Sequence, residues 1–421
     1  MEILEIAKRI EQTGGNLYLV GGAVRDKLLG KACYDEDFCV TGLSKEEFEK
    51  IFPESVCRGK AFPVYEIEGK EFALARKEKK IDTGHKGFEI ETGKEITIEE
   101  DLQRRDITIN AIAEEVLTGK IIDPFDGKKD IEKKKIRMVS RAFKEDPLRV
   151  YRVARFAANL EFEVEEQTIK QMKVLRQELN TLSAERVFME FKKALGSKKP
   201  SIFFQILRKA QVLDVHFKEI YDLIGSLQPK EYHPEGDSYN HTMLVVDYST
   251  VLTQDLSIRF ACLVHDLGKG VTPKEMQPHH YGHDEKGVSL VESLGKRLVI
   301  PKKWIECGKT AAKYHMKGGI FNQMTAAKQV DFITNVQKSK LGLEGMKIVV
   351  LCDKNRTGAF PTDIMFEEIG KKCLEEVTGK CIIEKYKIEG GKEVQERLRQ
   401  ERIAWIKNNK EKFKKKLEKI N

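Results

Sequence analysis

Leu17-Tyr18-Leu19-Val20-Gly21-Gly22-Ala23-Val24-Arg25-Asp26-Lys27-Leu28-Leu29-Gly30, followed closely by Tyr34-Asp35-Glu36-Asp37-Phe38-Cys39-Val40, is the stretch on which the reading of this chain turns. An apolar run ends in two glycines, and beyond them Val24, Leu28 and Leu29 recur at helical spacing, so the order strand, turn, helix, strand is predicted. A glycine turn before a helix exposes backbone N–H groups at the positive end of the helix dipole. That arrangement suits a phosphate, and the guanidinium of Arg25 adds a fork of donors. On the second strand Asp35 and Asp37 are two apart, and residues i and i+2 of a strand share a face. Two carboxylates therefore stand side by side opposite the phosphate site. Such a pair repels unless a cation sits between its members, and Mg2+ takes oxygen ligands while leaving positions open for phosphate oxygens. The chemistry implied is metal-dependent phosphoryl transfer.

The chain has 421 residues, enough for two or more domains, and its 40% apolar content supports ordinary cores. Lys and Arg exceed Asp and Glu by 75 to 67, a formal charge of +8 that allows a polyanionic partner without demanding one. Eight cysteines are scattered with no Cys-x-x-Cys pair, as in reduced thiols of a cytoplasmic protein rather than a disulfide framework. The opening residues carry acids where a signal peptide needs bases, and no apolar run approaches the length of a membrane span. A cytoplasmic protein with no membrane partner is expected.

Further along, Phe62 to Glu68 and Glu71 to Arg76 alternate around Gly69-Lys70, predicting a β-hairpin in the same sheet. Residues 77–95 are polar and glycine-punctuated, and read as a long functional loop. The arginines of Glu100-Asp101-Leu102-Gln103-Arg104-Arg105-Asp106 are suited to a triphosphate, or equally to a solvated helix face. Asp123-Pro124-Phe125-Asp126-Gly127 is a turn. From Glu145 a helix is predicted on which Asp146, Arg149, Arg152 and Arg155, three apart, form one stripe. A carboxylate and a guanidinium side by side can read the edge of a base, the first accepting from an exocyclic amino group and the second donating to a ring nitrogen. On an ordinary helix the same spacing would be a surface ion pair.

Six of the nine histidines fall between positions 241 and 315. His241, His265-Asp266, His283 and His315, with Asp353 beyond them, form a constellation suited to a divalent transition metal such as nickel, manganese, iron or zinc. A phosphohydrolase centre is expected there. The remaining residues are helical in pattern, and the lysine-rich run from Lys410 to Lys416 reads as a solvated helix end.

The Gly-Gly turn with Asp35 and Asp37, the Arg104-Arg105-Asp106 segment, the Asp123 turn and Glu145-Asp146-Pro147-Leu148-Arg149 together resemble the ordered motifs of class II tRNA nucleotidyltransferases, the CCA-adding enzymes. From residue 230 onward, Tyr232-His233-Pro234-Glu235, His241-Thr242 and His265-Asp266-Leu267-Gly268-Lys269 are similar to the HD domain fused to such enzymes in many gammaproteobacteria. The resemblance implies an α+β fold: a polymerase-beta-like head with a small mixed sheet (1–140), a helical neck with the base template and tRNA contacts (141–225), an HD domain (226–330) and a helical C-terminal region (331–421).

It implies in turn that CTP and then ATP are added to the tRNA 3′ end with release of pyrophosphate. Asp35 and Asp37 would hold Mg2+, and Gly22, Arg25, Arg105, Arg152 and Arg155 the triphosphate. Asp146 with Arg149 would be the protein template, and 77–95 the flexible loop needed to switch to ATP. The HD centre, His241, His265, Asp266, His283, His315 and Asp353, would carry Ni2+ or a similar ion and hydrolyse 2′,3′-cyclic phosphates or 2′-nucleotides. Relatives often read His-Asp where this chain has His315-Met316. A monomer or homodimer is expected. The competing readings are an A-adding specialist, a bacterial poly(A) polymerase, a stand-alone HD phosphohydrolase with a decayed head, and an RNA-binding protein without activity.

Overall fold

A computed structural model describes residues 2–33, 36–58, 63–80, 88–231, 233–355 and 358–418. The chain forms two compact units, 1–190 with 202–212, and 191–201 with 213–421.

In the first unit a seven-stranded sheet has the order β3-β4-β5-β2-β1-β8-β9. Its strands are β1 (Asn16–Val20), β2 (Asp37–Thr41), β3 (Val56–Arg58), β4 (Val64–Ile67), β5 (Lys70–Leu74), β8 (Ala113–Glu115) and β9 (Ile121–Ile122). Neighbours are antiparallel except β2 and β5, so the sheet is mixed. The predicted hairpin is β4 and β5, turned by Glu68 and Gly69 at φ 53° and 75°, the twist a two-residue loop needs.

Alternation along the central strands sends apolar side chains to both faces. On one face Leu17, Phe38, Val40 and Phe72 pack against Ile6 and Ile10 of α1 (Ile3–Glu11) and Phe48 of α3 (Lys45–Ile51). On the other, Tyr18, Val20 and Cys39 meet Ile98 and Leu102 of α4 (Ile98–Gln103). Both α3 and α4 begin in capping boxes, Ser44 with Glu47 and Thr97 with Glu100, which satisfy helix N–H groups that would otherwise be unpaired. The remaining helices that matter to the site are α2 (Gly22–Leu28), α5 (Gly127–Glu132) and α6 (Arg149–Leu160).

The stretch read as a loop at 77–95 differs from expectation. It contains β6 (Arg76–Lys80) and β7 (Phe88–Thr92), paired antiparallel with Lys77 opposite Glu91, while 81–87 lie outside the described residues. β6 is charged at every position, so no apolar alternation betrays it, whereas Phe88-Glu89-Ile90-Glu91-Thr92 does alternate and was a usable strand signal.

After α7 (Glu166–Val174) and α8 (Ala184–Leu195) come α9 (Ser201–Lys209) and the short α10 (Leu213–His216) and α11 (Lys218–Tyr221). The second unit continues with α12 (Ser238–Leu252), α13 (Leu256–Val264), α14 (His283–Arg297), α15 (Lys302–Gly319), α16 (Ala326–Lys338) and α17 (Gly342–Asp353). A core of Val245, Ala261, Phe332, Val349 and Phe366 also takes in Ile406 and Phe413 from the last long helix, Lys392–Glu418. Among the described residues no helix is long and apolar enough to cross a membrane.

Candidate functional site

The head site begins at the register of β1 and β2, where Val20 lies opposite Asp37. Asp37 is exposed at the strand end, on the face of Cys39 rather than of Phe38. Asp35 lies outside the described residues.

Immediately after Val20 the chain turns at Gly21, φ 71° and ψ −128°, a conformation that β-carbon-bearing residues avoid. A Cβ there would come 2.8 Å from Nη1 of Arg105. The missing side chain thus lets the Arg104-Arg105 segment reach the turn, and the glycine motif, Asp37 and Arg105 meet at one end of the sheet. A cleft of about 180 Å³ there is lined by Asp37, Arg76, Arg104 and Arg105.

Asp101 organises these cations. It accepts from Arg104 at 2.7 Å and Arg105 at 3.2 Å, and from the backbone of Arg76 at 3.4 Å. Burial would raise its pKa, but the guanidinium groups of Arg104 and Arg105 outweigh burial and hold it below the ordinary carboxylate value. Nε of Arg105 is buried without a hydrogen-bond partner. Sequence reasoning passed over Asp101, although its spacing of three and four to the arginines on a helix was a usable signal.

Arg25, at the predicted phosphate site, is itself buried. It donates through Nη1 to Oδ1 of Asn110 at 2.5 Å and through Nε to Asp26 at 2.9 Å. Asn110 in turn donates to Asp106 at 3.5 Å, and Asp106 accepts from the N–H of Ile107 at 2.9 Å and from Nε of Arg152 at 2.6 Å. One polar chain therefore runs from the glycine-turn helix to α6. Burial opposes ionisation of Asp106, yet Arg152 and these hydrogen bonds bring its pKa down to about 2.

The predicted stripe is realised only from Arg149 onward. Asp146 stands ahead of the helix in extended backbone, φ −120° and ψ 108°, because Pro147 bars the residue before it from helical geometry. Its carboxylate accepts from the N–H of Leu148 at 3.0 Å and from Arg186 at 2.9 Å. Arg149 is buried and donates to the carbonyls of Ala142 at 2.6 Å and Arg104 at 2.7 Å. Arg155 pairs with Glu190 and lies 4.0 Å over the ring of Phe156. Arg186 and Glu190 are about 40 residues from their partners in sequence, and no local pattern announces them.

The second unit holds the histidine constellation. His241 comes from α12, His283 opens α14, His315 lies in α15 and Asp353 ends α17. His265 and Asp266 do not both sit on a helix: α13 ends at Val264, and the backbone breaks at Asp266, φ −110° and ψ 11°. That break lets two adjacent side chains face one point. Gly268 then allows close packing, since a Cβ there would lie 1.9 Å from the carbonyl oxygen of His283.

All six predicted residues converge. The Nε2 atoms of His265 and His241 lie 3.3 and 3.8 Å from Oδ2 of Asp266, and those of His315 and His283 lie 3.2 and 3.6 Å from Oδ1. His241 Nε2 is also 3.1 Å from Asp353. Every imidazole is anchored behind through Nδ1: His265 to the carbonyl of Cys262, His283 to that of His280, His315 to those of Ala311 and Ala312, and His241 to the carboxylate of Glu235 at 2.7 Å. This is the outer hydrogen bonding that orients metal-binding histidines.

The Nε2 atoms of His265, His283 and His315 and Oδ1 of Asp266 are buried without a hydrogen-bond partner, a cost that a bound cation relieves, while Oδ2 of Asp266 meets the ammonium of Lys269. Burial depresses the His265 imidazole, but Asp266 and Asp353 outweigh it and raise its pKa to about 10. Lys269, 2.6 Å from Asp266 and donating to Gln228 at 2.7 Å, and Glu235 were missed in the sequence reading. Met316 is 48% exposed and its neighbour His315 1%, so position 316 points away from the centre.

Three family models match: the poly A polymerase head domain over 17–137, the probable RNA and SrmB-binding site of polymerase A over 161–223, and the HD domain over 238–331. The chain is 46% identical to the "Multifunctional CCA protein" of Nitrosococcus oceani over 303 residues, 71% of this chain and 74% of that protein. It is equally similar, 46% over 306 residues and the same shares, to the protein of that name from Psychromonas ingrahamii. Among solved structures, a CCA-adding enzyme in complex with ATP has a TM-score of 0.66 at 19% identity, covering 96% of this chain and 90% of that one. The Thermotoga maritima CCA-adding enzyme complexed with tRNA has a TM-score of 0.65 at 17% identity, covering 100% and 96%. With the curated relatives this close, the chain belongs to the multifunctional CCA protein family, nucleotidyltransferases whose polymerase head is joined to an HD domain.

Proposed function

We propose that this protein completes the 3′ end of tRNA with CCA from CTP and ATP, releasing pyrophosphate, and that its HD centre hydrolyses phosphate esters with a divalent transition metal such as Ni2+. What supports the first half is one juxtaposition: Asp37 faces the residue before the Gly21-Gly22 turn, and Arg105 fills the space Gly21 leaves. The relatives' name does not favour the A-adding specialist or the poly(A) polymerase.

In the head, Asp37 with Asp35 would hold Mg2+, which when bound activates the primer 3′-hydroxyl and neutralises the departing oxygens. The backbone of Gly22 and the part-exposed Arg105 and Arg152 receive the triphosphate directly. Buried Arg25 and Arg155 add positive potential behind them. Asp146 accepts from the exocyclic amino group that cytosine and adenine share, while Arg149 exchanges its carbonyl partners for the ring nitrogen beside that group. Uracil and guanine present the opposite pattern at that edge and are rejected. The tRNA is held largely through its phosphates, so binding weakens as salt rises.

In the HD centre, His241, His265, Asp266, His283, His315 and Asp353 would hold the metal, and the four buried atoms among them without a partner fit one. The bound ion would supply an activated water. Lys269 sits where it balances the Asp266 charge, and 2′,3′-cyclic phosphates and 2′-nucleotides are the expected substrates. The protein works in the cytoplasm as a monomer or homodimer, with head 1–140, neck 141–225, HD domain 226–330 and helical tail 331–421.

The test uses tRNAs lacking the last three, two or one nucleotides, each with CTP or ATP alone. CTP should extend the first two and ATP only the third. Long ATP-dependent extension of every substrate would overturn the assignment in favour of polyadenylation. For the HD half, metal-depleted protein should regain hydrolysis of a 2′,3′-cyclic nucleotide when Ni2+ is restored, and activity in a chelator would refute it.

A further inference from the structure

At the edge of the HD centre one buried side chain leaves half of its hydrogen-bonding capacity unused. Gln228 is 5% exposed, and its Oε1 accepts from Nζ of Lys269 at 2.7 Å. The same ammonium lies 2.6 Å from Oδ2 of Asp266, so the Gln228 amide stands one cation away from that carboxylate. An ammonium has only donors, which turns the amide oxygen toward it and leaves the amide N–H groups to find another partner. Nε2 of Gln228 is buried without one.

Holding the chain in place does not require this side chain. Its segment is pinned by its neighbours: Oγ of Ser226 donates to the carbonyl of Lys269 at 3.0 Å, the N–H of Leu227 to Oε1 of Gln277 at 2.9 Å, and Nε2 of His280 to the carbonyl of Leu227 at 2.8 Å. A buried donor left unpaired costs stability that an apolar side chain of the same size would spare, so the Gln228 nitrogen fits an acceptor that comes from outside the chain. The Nε2 atoms of His265, His283 and His315 and Oδ1 of Asp266 are unpaired in the same way, but they offer lone pairs and suit a cation. The Gln228 nitrogen offers protons, and with the Lys269 ammonium beside it suits an anion.

We infer that Gln228 binds the phosphoryl group of the substrate at the HD centre, its amide N–H donating to a phosphoryl oxygen while its amide oxygen keeps Lys269 in place. The inference rests on the reading of that centre as a hydrolase of phosphate esters.

The experiment uses the full chain, depleted of metal and reloaded with Ni2+, in the wild type, Gln228→Glu and Gln228→Met. Calorimetry gives the affinity for inorganic phosphate and steady-state kinetics give kcat and KM for 2′,3′-cyclic AMP, with Ni2+ affinity and melting temperature measured beside them. Gln228→Glu keeps an oxygen for Lys269 and replaces the N–H groups with a second acceptor. It should not lose Ni2+ affinity, whereas phosphate affinity should fall about tenfold or more and KM rise with it, the scale of one hydrogen bond to a charged group. Gln228→Met should lose phosphate affinity by a similar factor. If Gln228→Glu binds phosphate as the wild type does, the side chain only holds Lys269, and the inference is overturned while the hydrolase reading stands. Loss of Ni2+ affinity together with phosphate affinity in both variants also overturns it, since the side chain then acts through the metal ligands. A wild type that binds phosphate but hydrolyses no cyclic nucleotide refutes the hydrolase reading, and the phosphate affinities still decide the inference. A wild type that does neither refutes both. Should Gln228→Glu not fold, Gln228→Met decides: phosphate affinity lost at unchanged Ni2+ affinity supports the inference, and phosphate affinity kept refutes it.

Discussion

The head site and the HD centre both gather carboxylates and cations, yet they satisfy them in opposite ways. In the head almost every named charge already has a protein partner: Arg152 has Asp106, Arg155 has Glu190, Arg104 and Arg105 share Asp101, and Asp146 has Arg186. In the HD centre the imidazoles are fixed from behind while four buried polar atoms at the focus, three Nε2 atoms and Oδ1 of Asp266, lack hydrogen-bond partners. The difference teaches what each place handles. A site that admits three nucleotides in turn, and two kinds of base, keeps its charges paired so that a substrate exchanges contacts without leaving buried charge exposed to nothing. A site with buried donor atoms left unpaired carries a cost that a bound cation would offset.

The comparison breaks most sharply at the two metal positions. Asp37→Ala should reduce nucleotide addition by about a thousandfold or more, since a catalytic metal supplies several kcal/mol, while leaving cyclic phosphate hydrolysis intact. His265→Ala combined with Asp266→Ala should abolish hydrolysis and spare CCA addition. The pair of assays on the two variants measures the independence of the centres, and loss of both activities in either variant would refute it.

That contrast also governs what the sequence made legible. The HD constellation was readable because histidine is rare in this chain, and all six predicted residues meet at one point. The strand, glycine turn and helix at 16–28 were readable because apolar periodicity changes there from strand to helix. What stayed hidden were partners set by tertiary approach. Glu235 behind His241, Asn110 behind Arg25 and Arg186 behind Asp146 are polar residues whose partners lie 6, 85 and 40 positions away, and no period links them. The start of α6 was misplaced for a local reason that was visible, the proline at 147.

Two predictions sharpen the same contrast at intermediate size. Asp106→Asn removes the counter-charge of the part-exposed Arg152 and should cost about 1.5–3 kcal/mol in unfolding free energy, the scale of a hydrogen bond to a charged group. Because the folded pKa of Asp106 is lowered from 3.8 to about 2, its ion pair stabilises the fold above the unfolded value and is lost as pH falls through that window. Acid melts between those pH values should therefore show a slope in the wild type that is diminished in the variant. Glu235→Gln, behind His241, should weaken metal binding at the HD centre by roughly 10–100-fold, read by titration of the metal-depleted protein. The head's nucleotide affinity should not change.

The smallest effect is expected at Gly21, and it separates conformational cost from contact. Gly21→Ala places a side chain on a backbone at φ 71°, ψ −128°, a strain of about 1–3 kcal/mol. It also sets a Cβ 2.8 Å from Nη1 of Arg105, so the guanidinium must move. Gly30→Ala is the control, since that glycine has φ 65° with nothing within 4 Å of its would-be Cβ and carries a positive-φ cost without displacing an arginine. Gly30→Ala should lose less stability than Gly21→Ala, which adds the displacement of an arginine, and only Gly21→Ala should raise KM for both CTP and ATP. Equal KM values in the two variants would mean that Arg105 does not hold the triphosphate, and that the cleft beside Asp37 takes its nucleotide through other groups.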